Sequence, residues 1–232
     1  MHSSWNNFFT KEIEEEYNNI KNTIEKDGYF PTKENILRFM NCDLNNVKVI
    51  IVGMEPYPSY YMENGELKPE ATGRSFEVAS VKNWSQKFKQ SSLRNILKTI
   101  YFNETGNIAS MEQIRKEIES GKFSMLQPKE WFDNLEEQGV LFLNATLTVI
   151  PEHVDTHTKL WEKFMNKLIL YIEENANVKW FLWGNKAQER ILPLIYRNQY
   201  ILTKHPRLAE FVTENCFKKE DKIKWTGREQ YS

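Results

Sequence analysis

Several residues able to do chemistry stand at the ends of apolar runs in this chain. Glu55 follows Val49-Ile50-Ile51-Val52-Gly53, Asn144 ends the run GVLFLN, Asn185 follows VKWFLWG, and His205 follows YILTK. A carboxylate can orient or activate water and offset a developing cation. A preorganised imidazole donor can meet an oxyanion, and an asparagine amide presents a donor and an acceptor to a planar polar edge. Glu55 is fixed in direction by Pro56 and followed by Tyr57. Taken singly, each has an ordinary reading as well: Glu55 as a cap for the next helix, His205 as a satisfied core histidine, Asn144 as a turn residue.

The elements that must position these residues follow from the pattern. Residues 47–52 leave no polar face, so this strand is buried on both sides, as in a parallel sheet. Residues 139–144, 178–183 and 200–203 are three further apolar runs. Helical stretches at 158–175 and 186–196 separate the later ones. Strand alternating with helix implies right-handed crossovers and parallel strands, so the strand ends converge on one edge, where open α/β sheets hold their ligands. The chain is therefore read as an α/β three-layer sandwich, a central four-stranded parallel sheet flanked by helices. It forms a single domain over 1–232, with a helical lead-in at 1–46 and the core at 47–232.

In the lead-in, Phe8, Phe9, Ile13, Tyr17, Ile20 and Ile24 recur at helical spacing, with Thr10 as cap and Gly28 as stop. Pro31 restarts the chain into a short helix at 33–40. Residues 60–72 have no periodicity and read as a loop. Leu93, Ile96, Leu97 and Ile100 mark a helix at 91–102 with serines as caps, and short helices joined by Gly121 and Pro128 fill 108–137.

The 232 residues carry 7 Trp, 14 Phe and 10 Tyr, enough bulky apolar surface for a large core. No run approaches a membrane span and the start lacks a signal-peptide pattern, so a soluble cytoplasmic protein with no membrane contact is expected. Cys42 and Cys216 stand apart without CxxC spacing, which argues against a zinc site or disulfide framework. His153, Asp155 and His157 have a metal-like spacing but fall in a loop. The net charge of -1 gives no global attraction to nucleic acid, so any such contact is local.

Five segments in one order carry a resemblance to the uracil-DNA glycosylase family. GMEPYP at 53–58 resembles its GQDPYH segment, GRSF at 73–76 its uracil-stacking phenylalanine, and LFLNATLTV at 141–149 its asparagine strand. WFLWGNKAQ at 180–188 and KHPRL at 204–208 complete the set. The resemblance implies cleavage of an N-glycosidic bond on a nucleotide flipped out of DNA. Glu55 would orient the water, His205 would donate to the base oxygen and Asn144 would read the pyrimidine edge. Phe76 would stack on the base, beside Met54, and Tyr57 would wall off its C5 side. Ser59, Ser91, Ser92, Gly184 and Asn185 would meet phosphates, Arg207 or Leu208 would wedge into the gap, and a basic run of Lys218, Lys219, Lys222, Lys224 and Arg228 would follow the backbone. The implied partner is DNA, duplex or single-stranded, bound by a monomer with neither metal nor organic cofactor; a proteinaceous inhibitor is a further partner that the resemblance raises.

The departures surround the pocket. Glu55 stands where the family motif has Asp, Pro58 where it has His, the 57–76 segment is longer by about seven residues, ASVKNWSQKFKQ lacks the family's prolines, and RLAEF follows HP. Three readings therefore stay open: a uracil-DNA glycosylase, a glycosylase for a pyrimidine with a bulky C5 group as in modified phage DNA, with an antiviral role, or a binding-only relative that holds DNA or a replication partner.

Overall fold

The computed structural model describes residues 1–227; Arg228, the last member of the basic run, lies outside them. The chain opens on α1 (Lys11–Asp27), capped by Thr10, whose hydroxyl accepts from the Ile13 N–H, and stopped at Gly28, φ 72°. Residues 33–40 do not form one helix. They make two 3-10 turns, Lys33–Asn35 and Arg38–Asn41, broken at Leu37. Arg38 is turned inward to donate to the Thr72 carbonyl at 3.1 Å.

The central strand is β1 (Val49–Gly53), every residue buried. Residues 60–72 are not a loop throughout: β2 (Tyr60–Glu63) and β3 (Glu66–Pro69) pair as an antiparallel hairpin. Its turn is Asn64-Gly65, with φ 54° and 82°, the backbone that Asn-Gly favours between twisted strands. Helices α2 (Ser91–Thr105), α3 (Met111–Glu119) and α4 (Pro128–Glu137) follow. Gln90, not a serine, holds the capping position of α2 without a side-chain bond, and Ser91 and Ser92 lie in its first turn. Then come β4 (Val140–Asn144), α5 (Thr158–Asn175) and β5 (Lys179–Trp183). Helix α6 (Asn185–Ile191) is shorter than the 186–196 pattern, because Pro193 passes the chain into a 3-10 turn. Strand β6 (Gln199–Thr203) and α7 (Glu210–Glu214) complete the set.

The sheet order is β4-β1-β5-β6, all parallel, with Gly53 opposite Asn144 and Trp183 opposite Thr203 at the carboxyl ends. Alternate residues divide between two cores. Ile50, Val52, Leu141, Leu143, Trp180 and Leu182 face the layer that holds α1 and α5. Val49, Ile51, Val140, Phe142, Phe181 and Trp183 face α2, α4 and the 211–225 segment. This is the three-layer arrangement expected from the apolar runs. Each buried aromatic truncated to alanine costs about 3–5 kcal/mol in such a core, so the sheet is a rigid base for loops at its carboxyl edge.

Candidate active site

Beyond the strand ends, the β1–β4 pairing continues: Ala145 N–H donates to the Gly53 carbonyl and Thr146 N–H to the Met54 carbonyl, both at 2.8 Å. These bonds fix the backbone on either side of Asn144 and Glu55. Gly53 is required by close approach. A Cβ there would run into the Asn144 amide oxygen and come within 2.7 Å of the Ser75 Cβ. Asn144 is 3% exposed, and its side-chain amide makes no hydrogen bond among the described residues. Asn144 lines the cavity at the strand ends, where an amide offers a donor and an acceptor to a ligand with a matching edge.

Glu55 is half-buried. Its Oε2 accepts the Asp155 N–H at 2.8 Å, from the loop after β4, in which Asp155 itself has φ 56°. The Asp155 carboxylate pairs with Lys186 of α6 at 3.2 Å. Burial pushes the Glu55 carboxyl above its ordinary range; the Asp155 N–H opposes this shift and the Asp155 charge reinforces it. An acid held in this way suits general-base work near neutral pH.

His205 follows β6, and its Nδ1 accepts the Arg207 N–H at 3.1 Å. That bond places the proton of the neutral ring on Nε2, leaving it as donor. Burial, and then the Arg207 charge, hold His205 below the usual histidine value, which favours the neutral ring. The neighbouring strand makes room for it: Gly184 has φ 89°, and a Cβ there would lie 2.7 Å from the His205 Cβ. Phe76 has φ 64°, and its ring rests on Trp183, centroids 5.1 Å apart.

These groups face one cavity of about 150 Å³, lined by Met54, Glu55, Tyr57, Phe76, Ser92, Asn144, Trp183 and His205 together with Val52 and Gly53. Glu55, Asn144 and His205 thus meet from β1, β4 and β6, with Trp183 at the end of β5 between them. The other residues singled out from the sequence do not line it. Ser59 is exposed at the root of the β2–β3 hairpin, Ser91 is half-buried at the start of α2, and Asn185 is exposed at the start of α6, after buried Gly184. Arg207 and Leu208 are exposed on a turn held by Asn95, whose amide donates to the Pro206 carbonyl at 2.7 Å. In the basic run, Lys224 is committed to Glu104 at 2.7 Å. The three residues with metal-like spacing separate: His157 turns inward to Thr148 at 2.9 Å, whereas Asp155 serves Glu55. Asp155 and Trp183 are the site residues that sequence reading missed as such. The loop position of Asp155 gave no signal for the contact, and Trp183 reads as core.

A parallel sheet whose carboxyl edge brings an acid, an amide and an imidazole to one cavity is an open α/β fold with a polar pocket at its strand ends. Residues 39–225 match the model of the uracil DNA glycosylase superfamily, and the chain belongs to that superfamily; it is a DNA glycosylase. It is 34% identical over 186 residues to the uracil-DNA glycosylase of Buchnera aphidicola, covering 78% of this chain and 70% of that one. It is 31% identical over 218 residues to that of Mycoplasmopsis pulmonis, covering 87% and 81%. The fold is similar to wild-type UNG from Nitratifractor salsuginis, with TM-score 0.66 at 23% identity over 83% of this chain and 79% of that one. It is also similar to a variant of mimivirus UNG solved in complex with UGI, with TM-score 0.67 at 21% identity over 89% and 70%. No helix among the described residues is long and apolar enough to cross a membrane.

Proposed function

We propose that the enzyme hydrolyses the N-glycosidic bond of uracil in DNA, acting as a monomer on a nucleotide turned out of the strand. The observation that carries this reading is the convergence of Glu55, Asn144, His205, Phe76 and Tyr57 on one small cavity. Breaking this bond builds positive charge on the sugar and negative charge on the departing base, while water attacks the anomeric carbon. Glu55, with one oxygen held by the Asp155 N–H, turns the other to the water and offsets the sugar cation. The Nε2–H of His205 donates to the base oxygen as charge gathers there, a contribution worth about 10²–10³ in rate for a preorganised donor. The Asn144 amide pairs with the pyrimidine edge, and Phe76 stacks on its face.

Tyr57 distinguishes the possible bases. A cytosine with a bulky C5 group requires this ring to stand clear of the cavity, and Tyr57 lines it. That geometry favours uracil, and it removes the support for the antiviral role that a modified target would imply. The exposed Asn185, Ser59, Arg207 and Leu208 around the rim are the groups we assign to DNA contact and wedging. Inhibition by a protein of the UGI kind is part of the same reading.

Matched duplexes carrying a single uracil, a glucosylated hydroxymethylcytosine or a normal cytosine, treated with enzyme and then alkali, test the assignment. Strand breaks at uracil alone are expected. Breaks at the modified cytosine alone would replace uracil as the target, and DNA binding without any break would leave a non-catalytic DNA-binding protein.

A further inference from the structure

Among the cavity's side chains, Phe76 has the costly backbone. Its φ of 64° is a genuine outlier for a bulky residue, and such strain, about 1–3 kcal/mol, persists only where the surroundings over-determine it. The restraint is visible in the residues on either side of Phe76 in the chain. Arg74, two residues earlier and 5% exposed, donates from Nε to Glu136 Oε1 at 2.8 Å and from Nη2 to Asp133 Oδ1 at 2.7 Å, both on α4. A further bond joins Nη2 to Glu136 Oε2. From Nη1 it donates to Oε1 of Glu77, the residue after Phe76, at 3.2 Å. The guanidinium therefore ties the residues that bracket Phe76 to one helix. Between them, the Ser75 hydroxyl donates to the Ile51 carbonyl of β1 at 3.0 Å.

None of Arg74, Glu77, Asp133 or Glu136 lines the cavity that holds Glu55 and His205. Buried ion networks are weak sources of net stability, because desolvation offsets the attraction and apolar replacements are often neutral. What a planar guanidinium fork supplies is direction. Resting on the stacking role assigned to Phe76 above, we propose that Arg74 is a positioning residue: its fork, anchored on α4 and closed onto Glu77, holds the left-handed turn that aims the Phe76 ring across the cavity.

A double-mutant cycle on the full chain tests this. Arg74→Lys keeps the charge and loses the fork. Single-turnover excision from a uracil duplex is measured for wild type, Arg74→Lys, Phe76→Ala and the double variant, with the thermal midpoint of each. Arg74→Lys is expected to lower the excision rate about tenfold through misplacement of the ring, with little change in duplex affinity. In the Phe76→Ala background the same change should alter the rate by less than about twofold, since residues acting through one another are not additive. Equal losses in both backgrounds, or a wild-type rate for Arg74→Lys, overturn the proposal while leaving the stacking role intact. A Phe76→Ala protein as active as wild type overturns the stacking role and this proposal with it. Should Arg74→Lys fold poorly, Arg74→Met with Glu136→Gln, which removes the charge together with a partner, enters the same cycle under the same criterion.

Discussion

Glu55→Asp installs the acid of the GQDPYH motif that residues 53–58 resemble, yet the geometry forecasts a loss of activity. Removing one methylene withdraws the carboxylate by about 1.5 Å. The Oε2 bond to the Asp155 N–H, now 2.8 Å, would open to about 4 Å, beyond hydrogen-bond reach. The donor is not free to follow. Its loop is pinned by the Glu152 N–H on the Pro58 carbonyl at 2.8 Å and by the Ile150 N–H on the Thr156 hydroxyl at 2.9 Å. A reacting group misplaced by about 1 Å costs about 10²-fold in rate, equivalent to about 2.7 kcal/mol of barrier. Single-turnover excision with enzyme in excess over a uracil duplex reads the chemical step, and fluorescence anisotropy on the same duplex reads binding. The rate should fall by about that factor with affinity unchanged. An aspartate variant as fast as wild type, or faster, would refute the claim that the 155 loop is built to the reach of glutamate.

Glu55→Gln should lower the rate by about 10²–10⁴, the usual worth of a general base. It should also raise the thermal midpoint at neutral pH: burial lifts the folded Glu55 pKa, so the stability it contributes below its unfolded pKa is lost as pH rises through the folded one. Comparing wild-type and variant midpoints from pH 4 to pH 8 checks the sign, and an unchanged difference across that range would contradict it. His205, whose pKa burial lowers, has the opposite linkage: its contribution is present above the unfolded histidine pKa and is lost as pH falls through the folded value. His205→Ala should lower the rate about 10²–10³-fold, and both it and Asn144→Ala should spare DNA binding; equal loss of binding and cleavage would make these residues supports of the fold. Gly184→Ala places a Cβ 2.7 Å from the His205 Cβ at φ 89°; it should destabilise the protein by about 1–3 kcal/mol and depress cleavage, and a fully active, stable variant would show that the 205 turn yields.

The sheet was legible because β1, β4 and β5 are apolar on both faces, and the short apolar run of the more exposed edge strand β6 is, like theirs, punctuated by polar residues. The β2–β3 hairpin was hidden because its faces are mostly exposed, as at Met62 and Leu67, which removes the alternation that usually marks a strand. The Asn64-Gly65 pair was the signal available. Residues 33–40 carry helical spacing, but the chain there must pass close to Gly73 and send Arg38 inward, and tertiary contacts override local preference. In the site, Glu55 and Asn144 were readable as polar ends of buried strands, and His205 as the polar residue after the apolar run of the edge strand β6. The contact of Asp155 with Glu55 was not, since a backbone N–H aimed by a left-handed loop residue leaves no trace in residue type. The Arg74 network was unreadable for a related reason: its carboxylates lie 59 and 62 positions away on a helix whose acids look like ordinary surface charge.

A crystal structure of the Glu55→Gln protein bound to a duplex with one uracil tests most directly that the strand ends act together on one base. The uracil ring is predicted to lie out of the helix against Phe76, with its edge on the Asn144 amide, its oxygen on His205 Nε2 and its anomeric carbon facing residue 55. A uracil that stays stacked in the duplex, or one seated away from His205 and residue 55, would contradict the account.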